Sequence, residues 1–243
     1  MPPEHSTPPG PARDHVPEMF DRISCTYDRA NAVLSLGCDR AWRQRLAEMV
    51  PPGAARVLDL ATGTCDVLLT LARRRGTRLA VGADLSAGML RRGCCKVAVA
   101  RHADRCGLVR ADATRLGFAD GAFDAVTMAF GIRNVTDTLG ALREIRRVLR
   151  PGGRALILEF SLPKNVLLRA GYLLYFRHIL PRVGGLVSGE AGAYRYLNRT
   201  VETFPYGGAF CALLAEAGFS APRAVPLTFG IAAIYEAVRP ENG

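Results

Sequence analysis

The 243-residue chain predicts a doubly wound α/β fold: a mostly parallel seven-stranded sheet flanked by helices, with an antiparallel edge and a helical cap before the first strand. Three observations carry that expectation. Arg56–Asp66 (RVLDLATGTCD) reads as strand, tight turn and helix, because apolar Val57, Leu58 and Leu60 run into small residues around Gly63 and then into the helical pattern Val67–Arg75. Further apolar runs alternate with helical segments at short spacing, which calls for parallel strands joined by right-handed crossovers. Two last apolar runs, Pro222–Thr228 and Ile231–Val238 around Gly230, read as an antiparallel pair at the sheet edge.

The length and an apolar content of 49% suit a single domain over residues 17–243 with a large core. Met1–Val16 is rich in Pro, His, Ser and charge without an apolar period, and is expected to be a disordered tail. Residues 17–53 form the cap: Met19, Phe20 and Ile23 share one helix, Leu34 and Leu36 lie in a connector, and Trp42, Leu46, Met49 and Val50 mark a second helix that Pro51-Pro52-Gly53 ends. After the opening unit, Leu79–Ala83 is a buried strand ending in Asp84, with Ser86 starting a helix. Gly107–Arg110 is the third strand and runs into Ala111-Asp112-Ala113. Phe123–Phe130 is the fourth, Leu139–Leu149 a helix stopped by Arg150-Pro151-Gly152-Gly153, and Arg154–Phe160 the fifth strand.

Asn165–Leu186 is apolar but carries Arg169, Arg177 and His178, so it reads as an amphipathic helix in a lid or substrate insertion (162–200) or at a membrane surface, not as a span. Thr203–Ala217 is a further helix, ended by Gly218.

The formal net charge is +10, and every basic residue except Lys96 and Lys164 is arginine. Such an Arg-rich, Lys-poor chain reflects compositional bias and implies no nucleic-acid partner; the charge does suit an anionic membrane surface. Seven cysteines, an odd number without CxxC spacing, together with an N-terminus lacking an apolar signal, fit a reducing cytoplasm and no metal site.

The turn after the first strand is suited to a ligand, since backbone N–H groups at a helix start are unpaired and a small residue admits close approach. A dinucleotide turn needs GxGxxG, and here Gly63 stands among Thr62, Thr64 and Cys65, whose Cβ lies where a pyrophosphate needs bare backbone. A single nucleoside with a zwitterionic tail fits better, and S-adenosylmethionine has that shape. The strand-end acids Asp59, Asp84 and Asp112 suit its ammonium group, ribose hydroxyls and adenine amine in turn, with Leu85, Ala113 and Ala129 beside them. The competing reading of Asp84 is a helix cap.

Two longer stretches are specific: Tyr27–Trp42 (YDRANAVLSLGCDRAW) and Arg147–Ser161 (RVLRPGGRALILEFS). With Gly131–Val135 (GIRNV), Ser188–Leu197 and Phe204-Pro205 in the same order, the chain resembles the menaquinone and ubiquinone biosynthesis C-methyltransferases from about Pro17 to Arg239. It departs from the family at Cys65 (usually Gly), Asp39 (His), Ala30 (Met) and Ala129 (often Ser).

The resemblance implies a class I, S-adenosylmethionine-dependent fold and methyl transfer to a ring carbon of a prenylated hydroquinone, demethylmenaquinol first. A ubiquinone precursor or a secondary-metabolite ring is the alternative, as is a cofactor-binding module without catalysis. The ring becomes nucleophilic when its hydroxyl ionises, and a cation beside that oxygen favours the phenolate. Arg133 is the candidate; its competing reading is a structural tie to an acid such as Asp137. Asp28 and Tyr27 from the cap are further catalytic candidates, and Asp21, Asn134, Tyr194 and His178 are candidate substrate contacts. The segment around Tyr172–Phe176 offers a groove for the tail. A peripheral membrane contact and a homodimer complete the expected partners.

Overall fold

The computed structural model describes residues 16–24, 26, 28, 35, 37–101, 103–179, 182 and 191–241. Residues 1–15 of the expected N-terminal tail, Tyr27, and Leu34 and Leu36 of the connector lie outside them, as do the first residues of the Ser188–Leu197 stretch; Val16, expected to end the tail, is buried at the start of the first helix.

The cap supplies α1 (Val16–Ile23) and α2 (Cys38–Met49). The α/β body follows as β1 (Arg56–Leu60), α3 (Asp66–Ala72), β2 (Leu79–Asp84), α4 (Ala87–Ala98), β3 (Cys106–Arg110), β4 (Phe123–Ala129), α5 (Thr138–Val148) and β5 (Leu149–Phe160). After β5 come α6 (Val166–Leu174), α7 (Ala191–Thr203), α8 (Gly208–Glu216), β6 (Ser220–Leu227) and β7 (Ala232–Val238).

The sheet order is β3-β2-β1-β4-β5-β7-β6. The five strands from β3 to β5 are parallel, and β7 inserts antiparallel between β5 and β6. The reversed strand of the C-terminal pair is therefore the inner one, and β6 forms the edge. Both faces are covered, which is why β1 and β4 read as nearly unbroken apolar runs. One face packs Trp42, Leu46, Leu68 and Leu71 against Val57, Ala125 and Leu156; the other packs Leu142, Ile145, Phe210 and Leu214 against Leu58, Val126 and Tyr235.

Two helices differ from the sequence expectation. Of the expected Asn165–Leu186 helix, the described part is α6, capped by Asn165 Oδ1 accepting from the N–H groups of Leu167 and Leu168, which widens into a π-helical turn at Tyr175–Ile179; residues 180, 181 and 183–186 lie outside the described residues. The Thr203–Ala217 helix starts later than expected, as α8 at Gly208: α7 ends at Thr203, and Pro205 and left-handed Gly207 (φ 60°) separate the two. Strand β5 starts earlier than expected, because Leu149 pairs with Phe123 before the register shifts and Arg154 pairs with Ala125.

Chain order 1-2-3 runs outward on one side of β1 and resumes with β4 on the other. The carboxyl ends of β1 and β4 thus flank the point where the winding reverses, the place where open α/β sheets bind ligands. Two non-glycine residues there take positive φ, Ala61 (48°) and Phe130 (58°). Strained backbone of this kind persists where the surroundings over-determine it.

Candidate functional site

The turn leaving β1 is built from its own side chains. Ala61, Gly63 and Cys65 all have positive φ, and Cys65 N–H donates to Thr62 O at 2.9 Å. Gly63 N–H donates to Asp84 Oδ2 at 2.8 Å, tying the turn to the end of β2. A Cβ on Gly63 would meet nothing within 4 Å, so the backbone there is open to an adjoining cavity. Cys65 is fully buried, and a Cβ on Gly93 of α4 would fall 2.3 Å from its sulfur. The thiol therefore packs on α4 and does not line the cavity, contrary to the sequence argument that its Cβ intrudes on a ligand. Burial pushes that thiol up to about 12.

The cavity, about 430 Å³, lies over the carboxyl ends of β1, β2 and β4. Its wall unites seven of the residues expected from the sequence: Gly63, Asp84, Leu85, Asp112, Ala113, Ala129 and Asn134. Val16 and Phe20 of α1 close it from the cap side. Asp84 Oδ1 accepts from Ser86 N–H at 2.8 Å; burial raises this carboxyl, and backbone donors from Ser86 and Gly63 counter that only in part. Exposed Asp112 is ordered by the Thr114 N–H and hydroxyl, each at 2.8 Å. The Asn134 amide donates weakly to Phe130 O (3.4 Å), while its Oδ1 is buried without a partner among the described residues.

The other expected residues stand behind or beside this wall. Asp59 is 1% exposed, and its carboxylate accepts from the hydroxyls of Thr62 (2.6 Å) and Thr127 (2.7 Å). Burial pushes it up to about 6 despite those two donors. The Thr64 hydroxyl donates to Asp28 Oδ1 at 2.6 Å, and Lys96 Nζ sits 2.7 Å from Asp28 Oδ2 and 2.8 Å from Asp66 Oδ1. Asp28 therefore fastens the cap to the turn. Asp21 accepts from the Ser86 hydroxyl at 2.5 Å and from Gly88 N–H at 2.7 Å, capping α4. Burial pushes the Asp21 carboxyl up, but those donors outweigh it and the net shift is downward.

Arg133 is buried on the 3₁₀ turn after β4, and its Nη1 donates to Glu159 Oε1 at 2.6 Å and to Phe130 O at 2.7 Å. Its acid is Glu159, whereas Asp137 caps α5 by accepting from Gly140 N–H. His178 is exposed on the π-helical turn and does not line the cavity. Tyr194 belongs to the backbone of α7, its side chain outside the described set; Tyr27 lies outside it altogether.

Sequence reasoning overlooked Thr127, Glu159 and Lys96. The signals were present: a lone Thr within FDAVTMAF, a lone acid within RALILEF, and one of two lysines in the chain.

A bare glycine turn, buried acids and an unpartnered amide oxygen at a winding-reversal crevice fit a cationic nucleoside better than a dinucleotide. The residues thus suit S-adenosylmethionine: Asp84 and Asp112 as acceptors, Gly63 and Ala129 giving room.

Residues 10–239 match the model of the ubiE/COQ5 methyltransferase family. The ubiquinone/menaquinone biosynthesis C-methyltransferase UbiE of Syntrophotalea carbinolica is 46% identical over 230 residues, covering 94% of this chain and 95% of that protein. The demethylmenaquinone methyltransferase of Thermus thermophilus is 47% identical over 228 residues, covering 91% and 100%. Solved methyltransferases share the fold at low identity. A SAM-dependent methyltransferase of Thermotoga maritima gives a TM-score of 0.63 at 16% identity, covering 91% of this chain and 98% of that one. One from Aquifex aeolicus gives 0.54 at 16%, covering 76% and 81%. On the family match and these identities, the chain belongs to the ubiE/COQ5 methyltransferase family.

Proposed function

We propose that this S-adenosylmethionine-dependent C-methyltransferase acts on a prenylated hydroquinone and converts demethylmenaquinol to menaquinol. The observation that carries the substrate is the 47% identity to a demethylmenaquinone methyltransferase, spanning the whole of that relative. When bound, the cofactor supplies an activated methyl group on a sulfonium. The chain's own residues do the positioning, which supplies most of the rate in such a displacement. Asp84 accepts from the ribose hydroxyls, Asp112 from the adenine amine, and the buried Asp59 places negative charge under the turn for the ammonium group. Asn134 offers its free Oδ1 to the substrate side of the cavity.

Arg133 assists ionisation of the ring hydroxyl, in a form the sequence did not foresee. Its charge is balanced by Glu159, so it acts as an oriented donor and not as a free cation. Asp28 and Asp21 act by holding the cap, and no role follows for exposed His178.

The proposal extends to a peripheral membrane contact. Among the described residues no helix is long and apolar enough to cross a membrane. Yet α6 exposes Val166, Leu167 and Leu174, and Phe229 is 82% exposed on a turn whose Gly230 lies near Pro163. A second copy and a membrane compete for this face; the exposed Lys164 and Arg169 beside it favour anionic lipid.

The test is incubation of the purified protein with methyl-labelled S-adenosylmethionine and a panel containing demethylmenaquinol, a ubiquinone precursor and a non-quinone phenol. Preferential labelling of demethylmenaquinol is expected; labelling of the phenol alone would reject the substrate.

A further inference from the structure

Several buried side-chain polar atoms outside the cofactor cavity have no hydrogen-bond partner among the described residues, Arg133 Nε and the Tyr172 hydroxyl among them. A buried donor left unmade costs roughly 1–3 kcal/mol, and native chains tolerate few of them without a use. The two belong to one aromatic cluster. The Arg133 guanidinium lies over the Phe160 ring at 5.3 Å, Phe160 meets Phe176 at 6.2 Å, and Tyr172 stacks on Phe176 at 5.1 Å. Phe160 also meets Phe130, which forms part of the cavity wall, in a tilted contact at 4.6 Å. The cluster therefore adjoins the cavity wall on the side of α6.

We infer that the Tyr172 hydroxyl and Arg133 Nε together bind one oxygen of the aromatic substrate ring, with Tyr172 a positioning donor carried on α6. The inference deepens the proposed function and rests on it. The groups acting on Tyr172 are Arg133, Glu159 and Tyr175; burial dominates and pushes the phenol up, so Tyr172 keeps its proton and donates. The charges of Arg133 and Glu159 offset each other at 2.6 Å. Preference for an ionised ring oxygen must then come from oriented N–H and O–H donors, which are worth most in a dry site. The proton released from the ring hydroxyl passes to water. Aromatic faces at this place suit a ring, and the same helix exposes apolar residues on its outer side, where a tail emerging from the site would run.

The expected behaviour of Tyr172→Phe separates this role from a structural one. Because the hydroxyl has no partner among the described residues, its removal should leave Tm equal or higher, and calorimetric affinity for S-adenosylmethionine unchanged. At pH 7, kcat/KM for demethylmenaquinol should fall about tenfold or more, and the rising limb of kcat against pH should move about one unit upward, since two donors to a phenolate are reduced to one. A variant within twofold of the wild type, with the limb unmoved, would overturn the inference. A wild-type enzyme that methylates another phenol and not the quinol rejects the substrate alone, and the ratio of wild type to Tyr172→Phe on that phenol decides Tyr172 by the same threshold.

Discussion

Asp59 shows what burying a single carboxyl costs in stability. It is fully enclosed and pushed from 3.8 up to about 6, so the folded chain holds its proton more tightly than the unfolded chain does. Its stabilising contribution is complete below pH 3.8 and is lost as pH rises through about 6; ionised at pH 7, it costs up to about 3 kcal/mol. Asp59→Asn should therefore raise Tm at pH 7, with the gain gone near pH 4, while weakening S-adenosylmethionine binding; thermal melts across pH and calorimetry check both. Cys65 makes the opposite point. Its φ of 71° carries a left-handed cost of roughly 1–2 kcal/mol, yet its thiol fills the space over Gly93. Cys65→Gly relieves one and opens the other, so cofactor affinity by calorimetry should stay within about threefold of wild type. Gly131 is required for contact: a Cβ there would stand 2.4 Å from Ala61 Cβ and 2.8 Å from Met128 Cε, and Gly131→Ala should cost about 1–3 kcal/mol in denaturant melts.

At the scale of elements, the cap is fastened to the cofactor turn at two places along α4. Asp21 holds its first turn, and Asp28 reaches both Thr64 and Lys96 near its end. Between them Val16 and Phe20 cover the cavity. Lys96→Met leaves Asp28 without its cation, and the expected result is a cofactor Kd raised about three- to tenfold, an effect that 1 M salt should reproduce in part on the wild type.

The body was legible because its signals are local. β1 to β5 follow from apolar runs, strand-end acids and glycine stops, whereas their order in the sheet came from the structure. What escaped depended on partners distant in sequence: Glu159 meeting Arg133, Thr127 meeting Asp59, and Cys65 turning toward Gly93. The late start of α8 at Gly208 was legible at Pro205, but the apolar period running through Thr203–Ala217 masked it.

At the scale of the molecule, the winding reversal sets the cofactor cavity at the carboxyl ends of the strands. The cap closes one side of it, and α6 faces outward on the other. Leu167→Glu, on a residue 83% exposed, should weaken co-sedimentation with anionic vesicles without changing cofactor affinity. The reaction is defined by the bond made, a carbon–carbon bond to the ring. Mass spectrometry of demethylmenaquinol incubated with the protein and trideuteromethyl-labelled S-adenosylmethionine tests it most directly. The predicted product carries the intact labelled methyl on a ring carbon; a label on oxygen, or none, would contradict the account.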